Sequence, residues 1–152
     1  MNLRNATVHD AKAIYELLQF YSKKGLLLLR TLSNIYDNIR DFKILEQSNG
    51  EIVGIAALHV CWEDLGEIRS ICVKEKFLKK GYGKILSDAC VKDAIELGLK
   101  RIFVLTYQID FFKSQGFEIV DKKILPHKVW AECVNCPKFP DCDEVAMIKI
   151  LN

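Results

Sequence analysis

The sequence predicts a mixed α/β fold in which helices cover both faces of a β-sheet. The first observation behind this prediction is the alternation of short apolar runs with stripes at helical spacing along most of the 152 residues. The second is an Asn49-Gly50 pair between two apolar runs, which is typical of a β-hairpin. The third is a β-branched run, Glu67–Val73, that leads through a glycine-containing turn into a long helix. These patterns predict the element order β-α-α-β-β-β-α-β-α-β-β.

The elements before the hairpin follow from caps and stripes. A strand is expected from Asn2 to Ala6, after which Thr7 is a helix N-cap with Asp10 in the position of a capping box. The helix that follows ends at Gly25, and its apolar stripe consists of Ala11, Ile14, Leu17, Leu18 and Tyr21. Ser33 is expected to cap a second, short helix.

The later elements alternate between strands and helices. The strands of the hairpin run from Phe42 to Gln47 and from Glu51 to Trp62, and a turn over Glu63–Gly66 precedes the central strand. The helix after the central strand runs to about Leu97, and Gly98 supplies the left-handed residue that ends it. The remaining elements are a strand over Arg101–Thr106, a helix over Ile109–Gln115, a strand over Phe117–Val120 and a last edge strand over Val145–Leu151.

Composition and charge narrow the function classes. Half of the residues are hydrophobic and 28% are charged, as expected for a single globular domain over residues 1–152 with a cysteine-bearing segment at about 125–144. A net charge of only +2 argues against a nucleic-acid partner. The absence of an apolar run of about 20 residues argues against membrane insertion. Without a signal-peptide pattern at the start, we expect a cytoplasmic protein.

The turn from Leu78 to Lys84 predicts an anion site at the start of the central helix. Gly81 and Gly83 remove side chains at the point where backbone N–H groups would approach a ligand. Free N–H donors and the positive end of the helix dipole favour an anion, most often phosphate, and the lysines around the glycines add positive charge. The alternative is an ordinary strand–turn–helix whose lysines face solvent, and the spacing alone favours neither.

The run from Glu67 to Lys84 resembles the acyl-CoA signature of the GNAT superfamily of N-acetyltransferases, Arg/Gln-x-x-Gly-x-Gly/Ala after a strand that ends in valine. The signature glycines correspond to Gly81 and Gly83, and the end of the strand to Val73. Leu78 stands at the Arg/Gln position, a departure that removes one polar contact. The resemblance extends to the order of elements and implies a GNAT-like splayed sheet, in which two neighbouring strands separate and the pantetheine arm of acetyl-CoA enters between them.

Further runs resemble the short, stand-alone bacterial amino-acid N-acetyltransferases of the N-acetylglutamate synthase type. These runs are Leu28–Leu32, Glu67–Ser70, Leu105–Gln108, Phe111–Phe117 and the cysteine-bearing segment. The resemblance implies acetyl transfer from acetyl-CoA to the α-amine of an amino acid, expected to be L-glutamate, in arginine biosynthesis. The alternatives are another acceptor amine (glutamine, a polyamine or a protein N-terminus) or a catalytically silent module that binds acyl-CoA.

The resemblance also assigns roles to residues. The cofactor-binding residues are expected to be Ile71, Cys72, Val73, Lys79, Lys80, Gly81, Tyr82, Gly83, Lys84 and Phe112. Glu67 is the candidate base for the acceptor ammonium. Tyr107 is the candidate acid for the thiolate, because Phe111-Phe112 stands where the superfamily often has Phe-Tyr. Arg30 and Arg69 are expected to bind the acceptor's carboxylates, with Arg4 and Lys128 in reserve. The alternative makes Glu67 a solvated carboxylate at the end of the strand, paired with Arg69, and makes Arg30 an exposed surface residue.

The cysteines do not form a complete metal-binding pattern. Cys133, Cys136 and Cys142 have C-x2-C-x5-C spacing, which would need a fourth ligand such as His127 or Asp143 to bind zinc. We therefore expect no metal and thiols that are reduced or redox-labile, and we expect acetyl-CoA as a co-substrate. The expected partner is a small amino-acid substrate, and a homodimer is an open alternative to a monomer.

Overall fold

The computed structural model describes residues 1–126 and 144–151, and this part of the chain contains seven strands and four α-helices. The strands are β1 (Asn2–Asn5), β2 (Phe42–Glu46), β3 (Ile52–Trp62), β4 (Leu65–Val73), β5 (Arg101–Thr106), β6 (Glu118–Val120) and β7 (Val145–Ile150). The helices are α1 (Ala11–Lys23), α2 (Leu32–Asp37), α3 (Tyr82–Glu96) and α4 (Ile109–Ser114). The strands form one mixed sheet in the order β1-β2-β3-β4-β5-β7-β6, so the predicted α/β fold is confirmed.

The chain divides into two compact units, the first of which comprises residues 1–59 and 68–93. Its core joins the stripe of α1 to the inner side chains of β2 and β3. Fully buried members include Ala11, Ile14, Leu18, Ile35, Ile44 and Ile55. The predicted α1 stripe is therefore confirmed as a core face, because residues at helical spacing share one side of the helix.

A polar cluster of Arg4, Asp10 and Glu46 joins β1 to the start of α1 and to β2. The Arg4 guanidinium bonds both carboxylate oxygens of Asp10, at 2.8 and 2.9 Å, and also bonds Glu46 at 3.0 Å. Asp10 accepts from the backbone N–H of Thr7 at 2.7 Å, as the predicted capping box requires. The Arg4 guanidinium holds the pKa of Asp10 below its usual value.

The second unit comprises residues 60–67 together with the described residues from 94 onward. The start of β4 pairs in parallel with β5, Leu65 opposite Arg101 and Glu67 opposite Phe103. β7 lies antiparallel to β5 along six residues and pairs with β6 on its other side. The prediction of β7 as an edge strand is therefore wrong. Its buried side chains, Ala146, Met147 and Ile148, fit an interior strand.

Among the predicted boundaries that change, two concern a helix cap and a turn. The N-cap of α2 is Thr31, whose hydroxyl accepts from Asn34 N–H at 3.0 Å, so Ser33 lies inside the helix. β4 begins at Leu65, which shortens the predicted turn to Glu63 and Asp64. The hairpin between β2 and β3 is confirmed: Gly50 has φ +87°, and its N–H donates to the Gln47 carbonyl at 2.8 Å.

Candidate active site

The turn before α3 has the backbone geometry of an anion site. After a 3₁₀ turn over Glu75–Phe77, Lys79 and Gly81 both adopt left-handed conformations, with φ +63° and φ +84°. α3 begins immediately afterwards at Tyr82, so Gly83 and Lys84 belong to its first turn. A Cβ built on Gly81 would meet no atom within 4 Å. The glycine therefore borders open space at a helix N-terminus, where unsatisfied N–H groups and the helix dipole favour an anion.

The lysines around this turn differ in how far they are already paired. Lys84 bonds Asp88 at 2.7 Å, one helical turn further on, and Lys76 bonds Glu51 at 2.5 Å. Within residues 1–126 and 144–151, no carboxylate lies within ion-pair distance of Lys79 or Lys80. These two cations are therefore the ones available to an incoming anion, because a new ion pair need not replace an existing one.

The end of β4 presents backbone groups to a ligand on one side only. The Cys72 carbonyl points toward β3, since a Cβ on Gly54 would lie 2.8 Å from its oxygen. The N–H of Lys74 points the same way and donates to Val53 at 2.8 Å. Alternate residues of a strand direct their backbone groups to the same side. The N–H groups of Ile71 and Val73 and the carbonyl of Ile71 consequently point away from β3.

The Val73 carbonyl is an exception to the predicted free backbone groups. It accepts a hydrogen bond from the buried Tyr21 hydroxyl of α1. The parallel ladder of β4 with β5 covers Leu65–Glu67 only, so Ile71 lies four residues beyond its last pair. Within the described residues 1–126 and 144–151, three groups therefore remain for strand-like pairing with an amide-containing ligand: the N–H and carbonyl of Ile71 and the N–H of Val73.

Ser70 interrupts β4 with a left-handed conformation, φ +58°, which a side-chain-bearing residue rarely adopts. Such a conformation costs on the order of 1–3 kcal/mol and often occurs at functional sites. Ser70 is buried, and so is Arg69 before it, which is 8% exposed. The sequence predicts a regular strand here, so the left-handed residue is a feature that only the structure reveals.

The candidate base and acid lie in the second unit, on neighbouring parallel strands. Glu67 is half-buried and stands opposite Phe103. Tyr107 follows β5, four residues further along, which corresponds to about 13 Å of strand. The two side chains are therefore not direct neighbours and would reach a shared substrate from different levels of the sheet.

Phe112 is placed in the core of the second unit. Its ring is 2% exposed and packs edge-on against Phe111 and Phe117, at centroid distances of 4.9 and 5.2 Å. A contact between Phe112 and a cofactor stays a prediction, and the ring's main role in this geometry is to anchor α4.

The arginines predicted to bind carboxylates have unequal surroundings. Arg69 is buried in β4, whereas Arg30 is half-buried in the segment between α1 and α2, with its Nε shielded from water. Arg4 already bonds Asp10 and Glu46, and its reserve role in acceptor binding stays a prediction. Lys128 lies outside the described residues.

Residues 11–117 match the family described as acetyltransferase (GNAT) family. The chain belongs to the GNAT family of acetyltransferases. It is 39% identical over 98% of its length to an uncharacterized N-acetyltransferase of Chlorobaculum tepidum, covering 96% of that protein. It is 35% identical over 86% of its length to the amino-acid acetyltransferase of Mycobacterium tuberculosis, covering 75% of it. The predicted family and enzyme class, an acetyl-CoA-dependent N-acetyltransferase, are therefore confirmed.

Among solved structures, the GNAT chain is similar to N-acetylglutamate synthase from Neisseria gonorrhoeae complexed with coenzyme A and N-acetyl-glutamate. The TM-score is 0.90 at 25% identity, and the match covers 99% of this chain but only 35% of the Neisseria protein. The GNAT chain thus spans about a third of that longer relative.

The structure brings together a histidine and an aspartate that the sequence did not connect, His59 and Asp41. His59 Nδ1 of β3 lies 2.7 Å from an oxygen of Asp41, and both side chains are about a quarter exposed. No local pattern joins these residues, which are 18 positions apart. Only the pairing of β2 with β3 brings them together in the GNAT fold.

A cavity of about 690 Å³ lies between α1, the start of β3 and the residues after β4 in the first unit. Its lining combines apolar side chains, among them Leu17, Phe20 and Ile52, with charged ones, among them Glu51, Lys74 and Glu75. No cluster in the described part of the GNAT chain brings together three metal-ligating side chains. Cys133, Cys136 and Cys142 lie outside that part. No helix in the described part of the chain is long and apolar enough to cross a bilayer.

Proposed function

We propose that this chain transfers the acetyl group of acetyl-CoA to the α-amine of L-glutamate. The observation that carries the proposal is Arg69, a guanidinium buried in the middle of β4 beside the left-handed Ser70. A guanidinium stays charged at every physiological pH, and its planar fork matches a carboxylate in bidentate fashion. A substrate carboxylate that reaches this depth would therefore gain strong, directional hydrogen bonds.

The similar proteins support an amino-acid acceptor. The Mycobacterium tuberculosis relative is named an amino-acid acetyltransferase, and the Neisseria structure is complexed with N-acetyl-glutamate. Glutamate carries two carboxylates, so selecting it requires a second cation. Arg30 is the proposed second cation. A role in arginine biosynthesis, in the cytoplasm, belongs to the same proposal.

The proposed path of acetyl-CoA follows the first unit. Its pyrophosphate binds the N–H groups and lysines of the turn from Lys79 to Lys84, and its pantetheine amides pair with the open backbone groups of Ile71 and Val73. The Neisseria structure is complexed with coenzyme A, which supports a cofactor of this kind.

The proposed reaction uses one proton acceptor and one proton donor. Glu67 takes a proton from the acceptor's ammonium, directly or through water, because only the free amine attacks a thioester. The amine nitrogen forms a bond to the acetyl carbon, and the carbon–sulfur bond breaks. Tyr107 then supplies the proton that the departing thiolate takes up, or water does so if Tyr107 is not needed.

A polyamine acceptor is less well supported than an amino acid. A site for a polycation would use carboxylates, whereas the buried charged side chain of β4 is an arginine. A catalytically silent module would bind CoA but show no acetyl transfer to any amine.

The acceptor is tested by following CoA release from acetyl-CoA with each amino acid in turn, glutamate beside glutamine. We expect glutamate to be the best acceptor. Arg30→Ala and Arg69→Ala should raise the KM for glutamate about tenfold or more, the loss of one charge-assisted pair, and leave the KM for acetyl-CoA nearly unchanged. Arg40→Ala, at an exposed arginine, is the matched control. Unchanged use of glutamate by both active-site variants would refute the glutamate proposal.

The proton-transfer roles have separate tests. Glu67→Gln should lower turnover more at neutral than at alkaline pH, where free amine is already abundant. Tyr107→Phe should lower turnover, because the variant cannot supply the proton that the thiolate takes up. Full turnover in Tyr107→Phe would rule out Tyr107 as the proton donor, and water would then protonate the thiolate.

A further inference from the structure

Tyr21 contacts the cofactor-binding strand from α1. Its side chain is 9% exposed, and its hydroxyl donates to the Val73 carbonyl 52 positions along the chain. Burial raises the pKa of this hydroxyl, so it stays protonated and able to donate throughout the neutral range. The ring packs edge-on against Phe20 at 5.0 Å, which holds it in place.

The peptide group that joins Val73 to Lys74 is held at both ends. Its N–H donates to the Val53 carbonyl of β3 at 2.8 Å, and its carbonyl accepts from Tyr21. A trans peptide is planar, and its N–H and C=O point in opposite directions. Because the N–H points toward β3, the carbonyl and the Tyr21 hydroxyl lie on the side away from β3, where the open backbone groups of β4 are.

This placement limits the ways in which an extended amide ligand can pair with β4. Ile71 and Val73 would otherwise offer two equivalent carbonyls, two residues apart, to an amide N–H of the ligand. The hydroxyl of Tyr21 occupies the second of these carbonyls and leaves only that of Ile71. Moving the pairing by two residues would displace the ligand by roughly 7 Å, which is more than the reach of a reacting amine.

We propose that Tyr21 sets the register of the pantetheine arm by occupying the Val73 carbonyl. This inference rests on the proposed cofactor path and goes beyond it, because it assigns a positioning role to a residue of α1 that occupies a backbone carbonyl of β4. Tyr21 acts through the strand, so it is a positioning residue.

Tyr21→Phe tests the proposal because it keeps the ring and removes only the hydroxyl. In this variant the freed Val73 carbonyl competes with that of Ile71 for the ligand. With acetyl-CoA, the pyrophosphate contacts at the turn before α3 still oppose the shift, and the loss in kcat should be about threefold. With S-acetylpantetheine, which lacks the pyrophosphate, the loss should be roughly tenfold or more, the equivalent of one hydrogen bond.

Calorimetric binding of CoA and of pantetheine provides the same comparison without turnover and without any acceptor. A purely structural role for Tyr21 would weaken both ligands by the same factor, and that result would overturn the proposal. Tyr15→Phe, at a partly buried tyrosine of the same helix, is the matched control. It should change neither the ratio of kcat with acetyl-CoA to kcat with S-acetylpantetheine nor the ratio of the Kd values for CoA and pantetheine. If CoA fails to bind at the turn before α3 at all, the cofactor path itself is wrong, whereas equal losses on an intact path refute only the role of Tyr21.

Discussion

Replacing Gly81 by alanine tests the anion site without creating a steric clash. A Cβ at this position would meet no atom within 4 Å, so the added methyl has room. The residue has φ +84°, however, and an L-residue with a side chain pays about 1–2 kcal/mol to stay in that region. The turn can relieve this strain by rotating, and rotation redirects the N–H groups that precede α3.

The expected loss of CoA affinity follows from the number of backbone N–H bonds to phosphate that the rotated turn no longer makes. A hydrogen bond between a backbone N–H and a charged phosphate contributes about 1.5–3 kcal/mol. Losing one such bond therefore raises the Kd for CoA by roughly 10- to 150-fold. We expect Gly81→Ala to fall in this range in calorimetric titrations, with the larger effect if two N–H groups turn away.

Gly98→Ala is the matched control for backbone strain. Gly98 lies just after the other end of α3, has φ +87°, and would also have no atom within 4 Å of an added Cβ. Both variants should lose a similar free energy of unfolding in urea, but only Gly81→Ala should lose CoA affinity. Equal affinity in the two variants, at equal stability, would refute the assignment of the anion site.

Three further predictions concern stability and reactivity. Gly54→Ala should destabilise the protein by about 2–3 kcal/mol, because its Cβ would lie 2.8 Å from a backbone oxygen, whereas Gly50→Ala should lose only about 1 kcal/mol in the same urea titration. Asp10 has a lowered pKa, so its stabilising contribution is present above the ordinary value of 3.8 and is lost as the pH falls through the lower folded value. Asp10→Asn should therefore reduce stability at neutral pH and weaken its dependence on pH below about 4. Burial raises the pKa of Cys90 to about 12 and also raises the pKa of Cys72, so iodoacetamide at pH 8 should modify neither in the folded protein, as peptide mapping would show.

Local patterns in the sequence were sufficient for most elements of the fold. The α1 stripe, the Asn49-Gly50 hairpin and the left-handed Gly98 depend on side-chain periodicity and on backbone preferences of single residues. Such signals act over a few positions, so a single sequence displays them directly. The cofactor-binding residues, by contrast, are expected from the resemblance to a family signature, and their role stays a prediction.

The tertiary structure alone decided which distant groups meet. The place of β7 between β5 and β6, the engagement of Arg4 by Glu46 and the bond from Tyr21 to Val73 join positions that no local pattern connects. The left-handed Ser70 also has no signal in its strand-like run, because the surrounding packing must hold a conformation that the residue itself disfavours. Strand order and side-chain partners are set by the free energy of burying whole faces and pairing buried polar groups, and those quantities exist only once the chain has folded.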